Sequence, residues 1–250
     1  MNNHLLGSFD ERLTIAIIGS SGALGGAFLR YFERSPKCSK IYAYRRSVPR
    51  DQDHSDKVFL STIDILDESS ILKAVEDITD PLDLVIVTTG ILHDGDGLRP
   101  EKSIKDFQSD HFASIFAINA TGPAMVAKHF LPRMARNRKN VFAVLSARVG
   151  SISDNRLGGW YAYRASKAAL NMIVKNLAIE TGRKNKSSII AALHPGTVDS
   201  HLSMPFQSGV PEGKLFTAEY SAEQLLNVID QLTPEDSGHL FAWDGEKLPF

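Results

Sequence analysis

The stretch that most limits what this chain can become lies near its start. Leu13-Thr-Ile-Ala-Ile-Ile18 is a short β-branched run of the kind expected for a strand buried on both faces. It passes straight into Gly19-Ser20-Ser21-Gly22-Ala23-Leu24-Gly25-Gly26 and then into an apolar-periodic segment, Ala27 to Phe32. Strand, glycine turn and helix in that order are the context in which a glycine pattern becomes a dinucleotide-site candidate. Gly19 suits the tight turn, Gly22 lets backbone approach a pyrophosphate, and Gly25 allows close helix–strand packing. Ser21, Ala23 and Leu24 sit where the helix N-terminus offers N–H groups and a positive dipole end. A glycine-rich turn that holds nothing is the plainer alternative.

The rest of the chain repeats the alternation. Strands are expected at Lys40–Tyr44, Lys57–Ile63, Leu82–Thr88, Asn140–Ser146 and Ser188–Leu193, with Gly238–Trp243 as a closing edge strand. Helical segments are expected near Glu68–Ile78, Lys105–Arg136, Tyr163–Thr181 and Ala218–Leu232, the second of these perturbed by Pro123 and Pro132. Such alternation argues for a single α/β domain over residues 13–250, behind an N-terminal extension of residues 1–12. Its expected architecture is a Rossmann-type, doubly wound parallel sheet of about seven strands. Composition adds exclusions. At 43% hydrophobic, 23% charged and net charge −1, the chain lacks the footprint of a nucleic-acid or membrane-surface binder. Its one cysteine, Cys38, permits no intrachain disulfide and no cysteine-based metal cluster, and no metal site is expected. No apolar run approaches the roughly 20 residues of a membrane span. Asp10 and Glu11 interrupt a start that has no long apolar core, so the cytoplasm is the expected location.

Chemistry-bearing residues fall just after the strands. Arg45 and Arg46 close the second strand, where an NAD site would carry an acidic residue for the ribose 2′-hydroxyl. Two guanidiniums suit a 2′-phosphate, which favours NADP(H) over NAD(H); a solvated basic turn is the alternative. In Trp160-Tyr-Ala-Tyr163-Arg-Ala-Ser-Lys167, helical spacing puts the Tyr163 phenol and the Lys167 ammonium on one face. A cation there favours phenolate and would lower the tyrosine pKa toward the range of a working acid/base. Taken alone, the pair reads more readily as an ordinary amphipathic helix with a boundary tyrosine and a snorkelling lysine.

With Asp64-Ile65, Asn119 and Pro195-Gly196-Thr197-Val198 added, the chain resembles the short-chain dehydrogenase/reductase family from about residue 13 to 250. The wording of Gly158 to Asn171 is most similar to its carbonyl-reductase-like branch, which includes C-factor-type signalling proteins. The resemblance implies that Tyr163 exchanges a proton with the oxygen of a small carbonyl or alcohol substrate while hydride passes between nicotinamide and carbon. Lys167 would bind the nicotinamide ribose, Asn119 would anchor a relay water and distort its helix, and Asp64 and Ile65 would flank adenine. Thr89 and Gly90 would lie at the adenosine ribose, Pro195 and Gly196 beside the cofactor, and Thr197 and Val198 near the carboxamide. Homodimers or homotetramers built on the Lys105–Arg136 and Tyr161–Thr181 helices are implied too.

Three departures stand out. The glycines are spaced as in extended members, and Thr88-Thr89-Gly90 replaces the usual Asn-Ala-Gly. Registering Leu145-Ser-Ala-Arg-Val-Gly150 on the family pattern puts Ala147 in the place of the catalytic serine. Ser146 and Ser151 are the nearby substitutes, but Ser146 faces the wrong side of an extended strand unless the loop bends. Ala147 therefore keeps a second function open: a cofactor-binding signalling or regulatory protein with weak turnover.

Overall fold

The computed structural model describes residues 5–10, 12–47, 54–95 and 97–250. Ten strands are described: β1 (Leu13–Ile18), β2 (Cys38–Arg45), β3 (Val58–Thr62), β4 (Leu84–Val87), β5 (Asn140–Leu145), β6 (Ser188–His194), β7 (Thr197–Val198), β8 (Leu215–Phe216), β9 (His239–Ala242) and β10 (Lys247–Leu248). Six α-helices alternate with them: α1 (Ala23–Arg34), α2 (Glu68–Glu76), α3 (Ser109–Phe116), α4 (Gly122–Phe130), α5 (Tyr161–Lys184) and α6 (Ala218–Gln231). Eight of the strands form one sheet in the order β3-β2-β1-β4-β5-β6-β9-β10, parallel throughout except for β10. The order reverses between β1 and β4, the switch point where such sheets leave a crevice at their carboxyl ends.

Side-chain alternation splits the core into two layers. Leu13, Ile15 and Ile17 of β1 pack toward α1 and α6, whereas Ala16 and Ile18 pack toward α2, α4 and α5. β4 divides the same way, with Leu84 and Ile86 on the first face and Val85 and Val87 on the second. Full burial of each large aliphatic side chain contributes about 1.5–3 kcal/mol, which makes these short strands the mechanical base of the crevice. Residues 1–4 and 11 of the N-terminal extension lie outside the described residues. Leu5, Leu6 and Phe9 are buried on the α1 layer, and Gly7 and Ser8 donate backbone N–H groups to the Asp230 carboxylate of α6.

Two expectations are corrected. The Gly238–Trp243 strand is not an edge, because the chain turns back and Lys247–Leu248 pairs antiparallel with it, adding an eighth strand. The single long helix expected over Lys105–Arg136 is instead a series of segments. A 3₁₀ turn (Ile104–Asp106) is followed by extended backbone at Phe107 and Gln108, then by α3, a π-helical segment at Ala117–Thr121, and α4. Pro123 is the local cause: it has no N–H to give the carbonyl of Asn119, four residues back, so the ladder shifts register there. After β6, Thr197–Val198 and Leu215–Phe216 pair as a small parallel ribbon.

Candidate active site

A cleft of about 550 Å³ opens at the carboxyl ends of the central strands. The glycine turn forms one wall through Gly22, Ala23, Leu24 and Gly25, with Arg46 beside it. Thr89 and Gly90 line it after β4, Ser146 and Ala147 after β5, and Pro195, Gly196, Thr197 and Val198 after β6. Tyr163 and Lys167 enter from α5. The fold thus gathers most of the expected positions into one concavity. Gly25 shows why the turn is glycine-rich, since a Cβ there would stand 2.1 Å from the Gly19 carbonyl oxygen. Gly22 is exposed, leaving its backbone open to the cleft.

Gly19, Ser21, Arg45, Asp64, Ile65 and Asn119 stand back from the lining. Arg45 is 6% exposed and folds onto the turn, its Nε donating to Ser20 Oγ at 3.2 Å. Arg46, one residue past β2, is the arginine that faces the cleft. Asp64 uses Oδ1 to accept from the Leu66 N–H at 2.9 Å, and Ile65 packs against Gly122 at the start of α4.

Burial dominates the electrostatics of the central pair. It pushes the Tyr163 phenol up to about 12 and the Lys167 ammonium down to about 8. Lys167 Nζ donates to the Leu145 carbonyl at 2.9 Å and lies 5.8 Å from the Tyr163 ring centre. The expectation that Lys167 lowers the tyrosine pKa is therefore corrected for the free protein. Desolvation penalises both charged forms, and the ammonium is spent on a backbone carbonyl instead of the phenol oxygen.

The loop after β5 decides what faces Tyr163. A Cβ on Gly150 would come within 2.6 Å of Lys167 Cβ, so this glycine lets the loop seat directly on α5. In that register Ala147 packs against Tyr163 and Leu92. Ser146 turns the other way and donates its hydroxyl to Asn171 Oδ1 at 2.7 Å, although it also borders the cleft. Ser151 is 2% exposed and accepts from the Asp154 N–H, away from the cleft lining. Asn171 was not singled out from sequence; its place one helical turn beyond Lys167 is the signal that could have found it.

Asn119 is fully buried inside the π-helical segment. Its Oδ1 accepts from the Ile91 N–H at 2.8 Å, and its Nδ2 donates to the Ile91 carbonyl at 2.9 Å and to Ser166 Oγ at 3.1 Å. It ties the turn after β4 to the helix carrying Tyr163. The helix distortion expected at Asn119 is present.

An aromatic wall that the sequence only hinted at covers Tyr163. Trp160 lies edge-on to the Tyr163 ring at 6.2 Å and against Phe206 at 4.9 Å, with Leu202 packed alongside. Gly158, Gly159 and Trp160 all have positive φ (64°, 66° and 50°), a conformation that costs a bulky residue such as tryptophan of order 1 kcal/mol or more. Glu101 holds it: its carbonyl accepts from the Trp160 N–H at 2.6 Å and its Oε2 from the Ala162 N–H at 3.1 Å. In the segment after β6, Phe206 takes part in this wall, Phe216 packs on Trp243, and Met204 is exposed. His194, at the end of β6, also borders the cleft. Burial lowers its pKa to about 4, so the imidazole is neutral at physiological pH.

A doubly wound sheet with a glycine turn at its switch point and a Tyr–Lys pair in the crevice defines a Rossmann-type α/β protein of the dehydrogenase kind. Residues 14–210 match the short chain dehydrogenase family model, and the chain belongs to that family. It is 35% identical over 172 residues to the C-signal protein of Myxococcus xanthus, an alignment covering 69% of this chain and 95% of that one. It is 37% identical over 131 residues to 1-hydroxy-2-glutathionyl-2-methyl-3-butene dehydrogenase of a Rhodococcus species, covering 52% of this chain and 55% of the relative. Among solved structures, the carbonyl reductase Sniffer of D. melanogaster superposes with a TM-score of 0.82 at 22% identity, over 96% of this chain and 100% of that one. The NADPH-bound carbonyl reductase from chicken fatty liver gives 0.82 at 20% identity, over 97% and 96%. The similarity to the C-signal protein agrees with the C-factor-type likeness of the sequence, and the two solved structures share the fold. Among the described residues no helix is long and apolar enough to cross a membrane, and no cluster of metal-ligating side chains is present.

Proposed function

We propose that this protein is an NADP(H)-dependent oxidoreductase acting on a small carbonyl or alcohol. The observation that carries the reading is the joint burial of Tyr163 and Lys167, one helical turn apart, in a crevice that also contains the glycine turn. The residues present fit a nicotinamide dinucleotide. The N-terminus of α1 faces the cleft through Gly22 and Ala23, and Thr89 Oγ1 is buried there without a hydrogen-bond partner. When bound, the nicotinamide supplies or accepts the hydride.

The chain's own residues do the rest in this proposal. Tyr163, held protonated by burial, gives its proton to the substrate oxygen in the reductive direction. Lys167 holds ribose hydroxyls, and from there its charge would assist the phenol. Asn119, through the Ile91 peptide, fixes Gly90 and the turn after β4, and anchors a relay water near the distorted helix. Arg46, rather than Arg45, meets a 2′-phosphate and gives NADPH its preference over NADH; Arg45 stiffens the turn beneath it. Asp64 and Ile65 flank adenine, and Pro195, Gly196, Thr197 and Val198 border the nicotinamide. Assembly into homodimers or homotetramers through α4 and α5 belongs to the same proposal, and α5 carries exposed Met172 and Ile179 seven residues apart.

Ala147 supports a second reading, a cofactor-binding regulatory or signalling protein with weak turnover. Packed against Tyr163, it presents a methyl group where the family pattern places a serine hydroxyl. Following NADPH oxidation at about 340 nm across a panel of carbonyl compounds separates the two. Turnover supports the oxidoreductase; tight NADPH binding with no turnover across the panel supports the regulatory protein.

A further inference from the structure

Beside the catalytic cleft lies a second cavity of about 780 Å³, and the two share His201 and Phe206 as a common wall. His93 completes that partition: its ring lies 5.3 Å from the His201 ring and 5.9 Å from Phe206, and its Nε2 is 3.0 Å from the His201 carbonyl. The cleft side of the partition is apolar, formed by Phe206 with Trp160 and Leu202. The far side is cationic. Arg99, Lys102 and Lys105 line it, and none of the three side chains has an ion-pair or hydrogen-bond partner among the described residues. Among the described residues two carboxylates, Glu101 and Asp106, also border this cavity. Glu101 is 2% exposed, with Oε2 on the Ala162 N–H and Oε1 buried without a hydrogen-bond partner, and Asp106 Oδ2 accepts from the Lys102 and Ser103 N–H groups. Three cations against two carboxylates leave the described lining net positive, which raises the local concentration of anions, while the apolar partition disfavours charge on the side nearer Tyr163.

We propose that the second cavity is an anion subsite of the same active site, rested on the oxidoreductase reading above. The preferred substrates carry a carbonyl or alcohol at one end, an apolar linker, and a carboxylate or phosphate at the other. The reacting carbon sits at Tyr163, the linker passes Phe206 and His201, and the anion meets Arg99, Lys102 and Lys105. The shared chemistry is a terminal anionic oxygen group.

The test uses medium-chain oxo acids, their methyl esters, and oxoalkyl phosphates of matched length. Binding to the NADPH-loaded protein is read by calorimetry and turnover by NADPH oxidation. Three weak, partly exposed contacts acting together are expected to favour an acid over its ester by about tenfold in Kd and KM, with kcat similar. That ratio should shrink as salt rises, and Arg99→Glu with Lys105→Glu should abolish it. Arg99→Gln with Lys105→Gln should reduce it in part, and serves if the charge reversal does not fold. A phosphate favoured over the carboxylate identifies the phosphate ester as ligand; the reverse identifies the carboxylic acid. Equal affinity for acid and ester in the wild type, or a preference that survives in both variants, overturns the subsite. Turnover of acid and ester alike without discrimination removes the subsite and keeps the oxidoreductase. Discriminating binding without turnover keeps the subsite and removes the oxidoreductase.

Discussion

Ser146 gives its hydroxyl to Asn171 Oδ1 at 2.7 Å, one residue before an alanine that packs on Tyr163. The hydroxyl nearest the catalytic position is thereby engaged in holding the β5 loop to α5. In the proposed reaction this leaves the substrate oxygen with Tyr163 as its side-chain donor. Turnover on simple carbonyl compounds is expected to be slow, and Ala147→Ser to raise kcat about tenfold, equivalent to about 1.4 kcal/mol of transition-state stabilisation. Ser146→Ala should lower thermal stability while leaving kcat within a few-fold. Steady-state kinetics on both variants check this; a fast wild type crippled by Ser146→Ala would make Ser146 the donor after all.

Tyr163→Phe should abolish turnover with NADPH affinity nearly unchanged. Lys167→Ala should damage both, because the ammonium is assigned to ribose as well as to the phenol. Calorimetric titration of NADPH alongside initial rates separates the two effects, and retained activity in Tyr163→Phe would require a different proton donor.

The pH dependence follows from burial. Tyr163, raised to about 12, keeps its proton across the neutral range and is a ready donor but a poor base. Lys167, lowered to about 8, loses its charge as pH rises through that value in the free protein. For reduction, kcat/KM should be flat from about pH 6 to 7.5 and fall above about 8, since kcat/KM reports free-enzyme ionisations. Oxidation needs the phenolate and should increase with pH. Profiles in both directions check the signs.

Arg46→Ala should narrow the preference for NADPH over NADH. Arg45→Ala should do so less and instead lower the melting temperature, because Arg45 Nε holds Ser20 in the glycine turn. Titration with both cofactors at low and high salt reads the difference. Equal effects of the two substitutions on the ratio would mean that both guanidiniums reach the phosphate.

Gly25→Ala should be among the most damaging single changes outside the catalytic pair. Its Cβ would meet backbone at 2.1 Å, and backbone cannot move aside as a flexible side chain can. A destabilisation of about 1–3 kcal/mol or more is expected from such overpacking. Thermal melts with and without NADPH would show both the loss and a weakened cofactor response.

Local patterns carried the fold and the position of the central pair. Buried β-branched runs such as Leu13–Ile18, the glycine turn after them, and the four-residue step from Tyr163 to Lys167 are short-range features. Their geometry is set by strand and helix periods that need no distant partner. Tertiary structure decided matters that depend on what arrives from elsewhere in the chain. Arg45 and Arg46 are neighbours in sequence, but Ser20 captures the first and leaves the second at the cleft. Pro123 and Asn119 announce a perturbed helix, but not that it divides into α3, a π-helical segment and α4, because a proline near a helix start is equally compatible with continuity. The pKa values of Tyr163 and Lys167 reversed the sequence expectation because desolvation is a property of the assembled core, invisible to residue spacing. The second cavity exists only because the loop after β4, the residues preceding α3 and the lid after β6 converge on Phe206 and His201, segments separated by about a hundred residues in the chain.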